Sequence, residues 1–140
     1  MSLSDEERQI IVSLELSKAK ETFAQVNVLR QAEFWDGVAN RLYYAAFHAV
    51  CALLIKDGHN VRTHNGVSAV LGQWYVRSGI FPKELAQLYS MLQTMREKSD
   101  YNCSFDATQS IIEPLIAPTH ELIATIERRV IQDERSHHPA

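Results

Sequence analysis

A chain of 140 residues with 46% apolar content can bury a core of ordinary domain size without metal or disulfide staples. Its 14 Lys and Arg against 17 Asp and Glu leave a net charge of −3, and neither half departs much from that balance. A broad electropositive face for unspecific duplex binding is thereby excluded, whereas a small local basic site is not.

Ser4 followed by Glu7 reads as a capping box, with Asp5, Glu6 and Glu7 favoured at the positive end of a helix. Apolar residues then recur at helical spacing through Ile11, Leu14, Ala19, Phe23, Val26 and Leu29. They predict a first helix from about Asp5 to Arg30, with a weakly marked break near Gln31 to Glu33. The second helix runs from about Phe34 to Lys56 and ends at Asp57-Gly58, a left-handed cap. From Leu42 onward its apolar residues occupy nearly every face, which places it in the middle of a bundle. A third helix starts after Thr63 and closes near Ser78-Gly79. Pro82 opens a fourth, KELAQLYSMLQTMREK, where proline costs least. The segment from Asp100 to Asp106 interrupts the pattern, and Asp106 is placed to cap the last helix. Pro114 and Pro118 lie inside that last helix and predict a kink or split. The tail over 131–140 reads as frayed, and its His137-His138 pair lacks neighbouring metal-ligating partners. A lone strand near Val61 or Tyr101 fits the pattern, but a sheet does not. The expectation is one all-α domain over 1–140, a five-helix up-and-down bundle around an apolar central helix, with its core over about 5–130.

The two cysteines form no disulfide framework, and Cys51 sits in an apolar run where a reduced, buried thiol is natural. The start, MSLSDEER, lacks the basic-then-apolar pattern of an export signal. The longest apolar stretch, Leu42 to Ile55, is short for a membrane span and contains His48. A cytoplasmic protein without membrane attachment is expected.

The central helix holds polar residues that core packing does not demand. At about 100° per residue, Arg41, Tyr44, His48 and Cys51 follow one stripe. Arg41 and His48 are seven residues apart, which is about 10 Å along the axis and nearly the same side. Arginine offers a planar fork of donors to phosphate oxygens, and histidine exchanges protons near neutral pH. On RNA the 2′-hydroxyl can serve as the internal nucleophile, so no metal or other cofactor is required. The same residues admit a plainer account. A bundle histidine often serves a neighbouring carboxylate, an arginine at a helix start snorkels, and Tyr43, Tyr44 and Phe47 fit a core.

Two further clusters are candidates. Thr63 is a natural N-cap, and with Arg62 and His64 it forms a first turn able to hold an anion, or simply a capped helix. His59 and His64 have the makings of a metal pair, but no third ligand follows at recognisable spacing. In MREKSDYN, Arg96 and Asp100 are four apart, and Asp100 sits near a helix C-terminus where a carboxylate is disfavoured. Asp100 therefore calls for a fixed partner from another helix, such as Arg41, Arg62 or His64. A plain interhelical salt bridge satisfies the same observation.

The order RLYYAAFHAVCALL, then THNGV, then a proline-started helix leading into REKSDY resembles the HEPN domain superfamily, in particular its small prokaryotic, UPF0332-like branch. The likeness covers about Leu14 to Ile126. It implies a helical bundle that commonly forms homodimers and is often paired with a minimal nucleotidyltransferase as toxin and antitoxin. Active members are metal-independent endoribonucleases that use an arginine, four to six residues, then a histidine, with the sites of two subunits meeting at the dimer interface. In many, that motif lies on the helix before the last, with asparagine after the arginine. The matching arginine here is Arg96, but Glu97 follows it, Asp100-Tyr101 occupies the histidine region, and no histidine comes before His120. Arg41 and His48 meet the spacing on the earlier helix. The resemblance implies action on RNA or a nucleotide, by a toxin-like endoribonuclease or by a non-catalytic binding module. The expected catalytic residues are Arg41, His48, Arg96, Asp100 and Tyr101, and Tyr44, Arg62, Thr63 and His64 would bind the substrate.

Overall fold

Ser4 Oγ accepts the Glu7 N–H at 3.1 Å, and Glu7 Oε1 accepts the Ser4 N–H at 3.0 Å. This reciprocal cap satisfies two donors that a helix start otherwise leaves open. It begins α1 (Asp5–Gln31) in the computed structural model, which describes residues 3–59, 61 and 63–136. The chain reverses at Glu33, whose φ of 63° is left-handed, and enters α2 (Trp35–Lys56). Gly37 lets the two helices close in, because a Cβ there would lie 3.3 Å from the Leu29 methyls.

α2 is the axle of the bundle. Val38, Leu42, Tyr43, Val50, Leu53 and Leu54 have no solvent exposure, and α1, α4 and α6 all pack on this helix. Ala45, Ala46, Ala49 and Ala52 are equally enclosed. Their short side chains let three neighbours approach, while each buried Leu or Val contributes roughly 1.5–3 kcal/mol. By length and composition α2 would also cross a membrane, yet 72% of its most apolar window is buried inside protein. That is the environment of a core helix.

Gly58, at a φ of 89°, ends α2 as its sequence requires. Thr63 caps α3 (His64–Val70), its Oγ1 accepting the Gly66 N–H at 3.1 Å. The third helix is not uniform, however. Leu71–Val76 widens into a π turn, with the Arg77 N–H reaching back five residues to the Gly72 carbonyl. The widening accompanies a buried Tyr75 whose hydroxyl donates to Asp57 Oδ2 at 2.6 Å, tying the turn to the end of α2. Burial and that carboxylate push the Tyr75 phenol far above its usual range. Periodicity alone cannot register a single inserted residue of this kind.

Pro82 stands at the N-cap of α4 (Lys83–Tyr101). The last helix is stepped: α5 (Gln109–Ile112), a tight turn over Glu113–Leu115, then α6 (Ile116–Ser136). Pro114 lies in the tight turn, and Pro118 is the third residue of α6, where its missing N–H would have had no intrahelical partner. Thr108, not Asp106, occupies the cap, and its side chain makes no capping bond. The chain stays extended two residues longer than the Asp106 expectation, because helical backbone starts only at Gln109. Helix also continues to Ser136, further than a frayed tail from 131 allows. His137, His138 and Arg62 lie outside the described residues. Among the described residues there is no strand, Tyr101 being the last helical residue of α4. One continuous apolar cluster runs from Val12 to Val130, with members on every long helix.

Gly66 holds the start of α3 together by having no side chain. A Cβ there would press on Val61 Cγ1 and lie 2.7 Å from Thr63 Oγ1, the capping atom. Gly66→Ala should therefore cost about 1–3 kcal/mol in chemical denaturation, despite alanine's higher helix propensity. Unchanged or raised stability would contradict this packing.

Candidate functional site

α2 and α4 run antiparallel, so their polar residues meet in reversed order. Asn40 reaches Asp100, Tyr43 reaches Arg96, and the Tyr43 ring also lies 5.8 Å from that of Tyr89. Arg96 is the centre of the arrangement. It is 6% exposed, and its Cζ lies 5.1 Å from the Tyr43 ring centre and 5.7 Å from those of both Tyr44 and Tyr101. The π faces offer a cation about 0.5–2 kcal/mol each without hydrogen-bonding it. The nearest carboxylate oxygen, Asp100 Oδ2, is 3.9 Å from a guanidinium nitrogen, beyond hydrogen-bond reach. Arg96 Nε is buried and has no hydrogen-bond partner among the described residues.

Arg41 joins from α2. Its Cζ is 5.6 Å from the Tyr44 ring, so Tyr44 stands between two guanidinium groups. Arg41 is held by amides: Nε and Nη2 donate to Asn40 Oδ1 at 3.0 and 2.7 Å, and Nη1 donates to Gln25 Oε1 of α1 at 3.2 Å. Asn40 Nδ2 in turn donates to Asp100 Oδ2 at 3.1 Å. The partner that Asp100 needs near its helix end is thus Asn40, assisted at longer range by Arg96. Tyr101, 77% exposed, closes α4 beside them.

His64 enters the same neighbourhood from the start of α3. Its ring lies 4.7 Å from Phe47 and 5.5 Å from Tyr43, and Nδ1 is 2.5 Å from the Tyr43 hydroxyl. Burial raises the Tyr43 phenol, which keeps its proton and can donate it to Nδ1. The neutral imidazole then carries its hydrogen on Nε2. Burial, and then the Arg96 charge, pull the His64 pKa below 6.5.

His48 is placed differently. Its Nδ1 is 2.8 Å from Glu15 Oε2 on α1, and its ring neighbour is Phe47. The stripe read along α2 is real as geometry, yet its ends face α1: Arg41 meets Gln25 and His48 meets Glu15. Of the candidate residues, Arg41, Tyr44, Arg96, Asp100, Tyr101 and His64 come together, with Thr63 capping the helix that supplies His64. Among the described residues His48 shares only Phe47 with that group. Asn40 was the residue that sequence reasoning passed over, and Tyr43 was read there as a core aromatic alone. A polar residue immediately before Arg41 on an otherwise buried helix was the available signal for Asn40. His59 rests against Trp74 and Tyr75 rather than beside Arg96, and the described residues hold no group of three metal-ligating side chains.

The His64 environment has a consequence for titration. A histidine whose folded pKa is lowered binds fewer protons than it does unfolded between its folded value and 6.5. Its contribution to stability is present above 6.5 and is lost as pH falls through that window. NMR titration should give His64 a midpoint below 6.5, and His64→Gln should flatten stability against pH there. A midpoint at or above 6.5 would contradict the placement beside Arg96.

Comparison with known proteins agrees with this architecture. The HEPN domain profile matches residues 12–129. A UPF0332 protein of Thermotoga maritima is 27% identical over 89% of this chain and 94% of its own. A Methanocaldococcus jannaschii protein provisionally named a toxin is 23% identical over 83% of this chain and 79% of its own. A second such protein from the same organism is 27% identical over 69% of each. The match spans nearly all of the bundle, from α1 to α6, and the chain belongs to the HEPN domain family.

Proposed function

We propose that this chain is the toxin-type member of a two-component pair, acting on RNA or a nucleotide by gripping a phosphate at the Arg96 notch. Its partner in this reading is a minimal nucleotidyltransferase, its working form a homodimer, and its compartment the cytoplasm. The observation that carries the reading is the state of Arg96. A guanidinium this deeply buried, faced by aromatic rings and lacking a close carboxylate, is an incomplete ion pair. A phosphodiester oxygen supplies what it lacks, and Arg41, held by neutral amides, adds a second positive charge beside Tyr44. The exposed Tyr101 ring offers a stacking face for an unpaired base. Relatives provisionally named toxins support the biological half of the proposal.

In the strong form of this reading the bound RNA is cut. The 2′-hydroxyl attacks the adjacent phosphorus, the bond to the 5′-oxygen breaks, and a cyclic phosphate and a free 5′-hydroxyl result. His48 suits the proton-accepting role in one respect: in the neutral form that donates Nδ1–H to Glu15, the acceptor nitrogen is Nε2. A specific observation favours the weaker, non-catalytic form. The imidazole whose acceptor nitrogen is Nε2 is bonded to α1, while the imidazole beside Arg96 has Nδ1 engaged by Tyr43. The two requirements for cleavage are divided between different histidines.

Incubation with a short single-stranded RNA and a chelator separates the forms. Both expect binding that Arg96→Ala weakens by roughly tenfold or more, as for a lost charge-assisted hydrogen bond. Strand scission that spares DNA and stops in His48→Ala selects the strong form, and RNA bound but left whole selects the weaker. Wild-type protein that binds neither RNA nor a purine nucleotide, or Arg96→Ala that binds as tightly, overturns both. For the partnership, expression of the chain alone should arrest growth, and co-expression with a neighbouring nucleotidyltransferase should relieve it. Unimpaired growth in both cases would contradict the toxin assignment.

A further inference from the structure

We infer that Asn40 is the positioning residue of the notch, a neutral amide that fixes Arg41 and Asp100 while leaving the arginine charge uncancelled. This inference rests on the phosphate-gripping reading of Arg96.

Asn40 makes three polar contacts with two charged groups. Its Oδ1 takes two donors of the Arg41 fork, and its Nδ2 holds Asp100 Oδ2 at 3.1 Å. The same Asp100 oxygen is 3.9 Å from Arg96, so the carboxylate is bonded to the amide and only near the guanidinium. Asn40 thereby keeps Asp100 from pairing fully with Arg96. On its other side it grips Arg41 through a carbonyl dipole, as Gln25 also does. A carboxylate at either place would hold Arg41 as firmly in geometry, but as a salt bridge that an incoming phosphate must break. An amide is the side chain that can accept from a guanidinium on one edge and donate to a carboxylate on the other. Asn40 is partly exposed and ties α2 to α4 through polar bonds alone, so its replacement leaves the apolar core intact.

The test uses the full-length protein and the same short single-stranded RNA. Asn40→Asp keeps the size and the acceptor for Arg41, adds a charge, and sets two carboxylates against each other. Its RNA affinity should fall roughly tenfold or more. Asn40→Leu removes the bridge without adding charge, should also weaken binding, and carries the test alone if Asn40→Asp does not fold. A second readout addresses position itself. In the wild type the paired bonds to Asn40 should hinder rotation of the Arg41 guanidinium and give distinct Nη signals in NMR, and these should merge in Asn40→Leu while circular dichroism stays unchanged. Both variants binding within twofold of wild type, or Arg41 signals indifferent to the loss of Asn40, would overturn the role. Failure of wild type to bind either that RNA or a purine nucleotide would instead sink the reading of Arg96 on which the inference rests.

Discussion

The contact on which the proposed chemistry depends is the burial of one guanidinium, Arg96, against the faces of Tyr43, Tyr44 and Tyr101. Taking a cation from water costs several kcal/mol, and aromatic faces return only part of it. An ordinary bundle would complete the pair with a close carboxylate. Here Asp100 stands off at 3.9 Å and bonds to Asn40 instead. The outcome is local positive charge inside a protein whose net charge is −3. Such a place attracts anions without a broad basic surface.

Much of the surrounding structure serves to hold that place. α2 presents Asn40, Arg41, Tyr43 and Tyr44 within little more than one turn, and it is fixed because α1, α4 and α6 all pack on it. The Thr63 cap and the bare Gly66 bring His64 onto Tyr43 and Phe47. Every long side chain in the notch therefore has a neighbour on at least one face, Tyr101 through Arg96 alone, since the rest of its ring stands largely in water at the end of α4. A site with an exposed ring at its rim and a fixed cation beneath is suited to flexible, single-stranded ligands.

The fold was legible because its signals are local. The Ser4–Glu7 box, the glycine ending α2, the Thr63 cap and the all-round apolar face of α2 each act through neighbours in sequence, and each set its element to within a residue or two. Where long-range contacts decide, the sequence was silent. The π turn depends on Tyr75 reaching Asp57, and the late start of the last helix at Thr108 overrode a good capping residue at Asp106. At the site, helical spacing correctly put Arg41 and His48 on one side of α2. It could not say that this side meets α1, so that His48 finds Glu15. The need of Asp100 for a fixed partner was readable from its place at a helix end. That the partner is an amide, Asn40, follows only from the antiparallel register of α2 and α4.

On the proposed function Arg96 is kept for an external anion and not for the fold. The most direct measurement is the unfolding free energy of Arg96→Met without any ligand. Replacing a poorly paired buried cation by an apolar chain of similar volume should change stability by less than about 1 kcal/mol, or increase it. A loss of about 3 kcal/mol or more, the cost of breaking a satisfied buried pair, would mean that Arg96 is a structural strut. The notch would then be part of the scaffold alone.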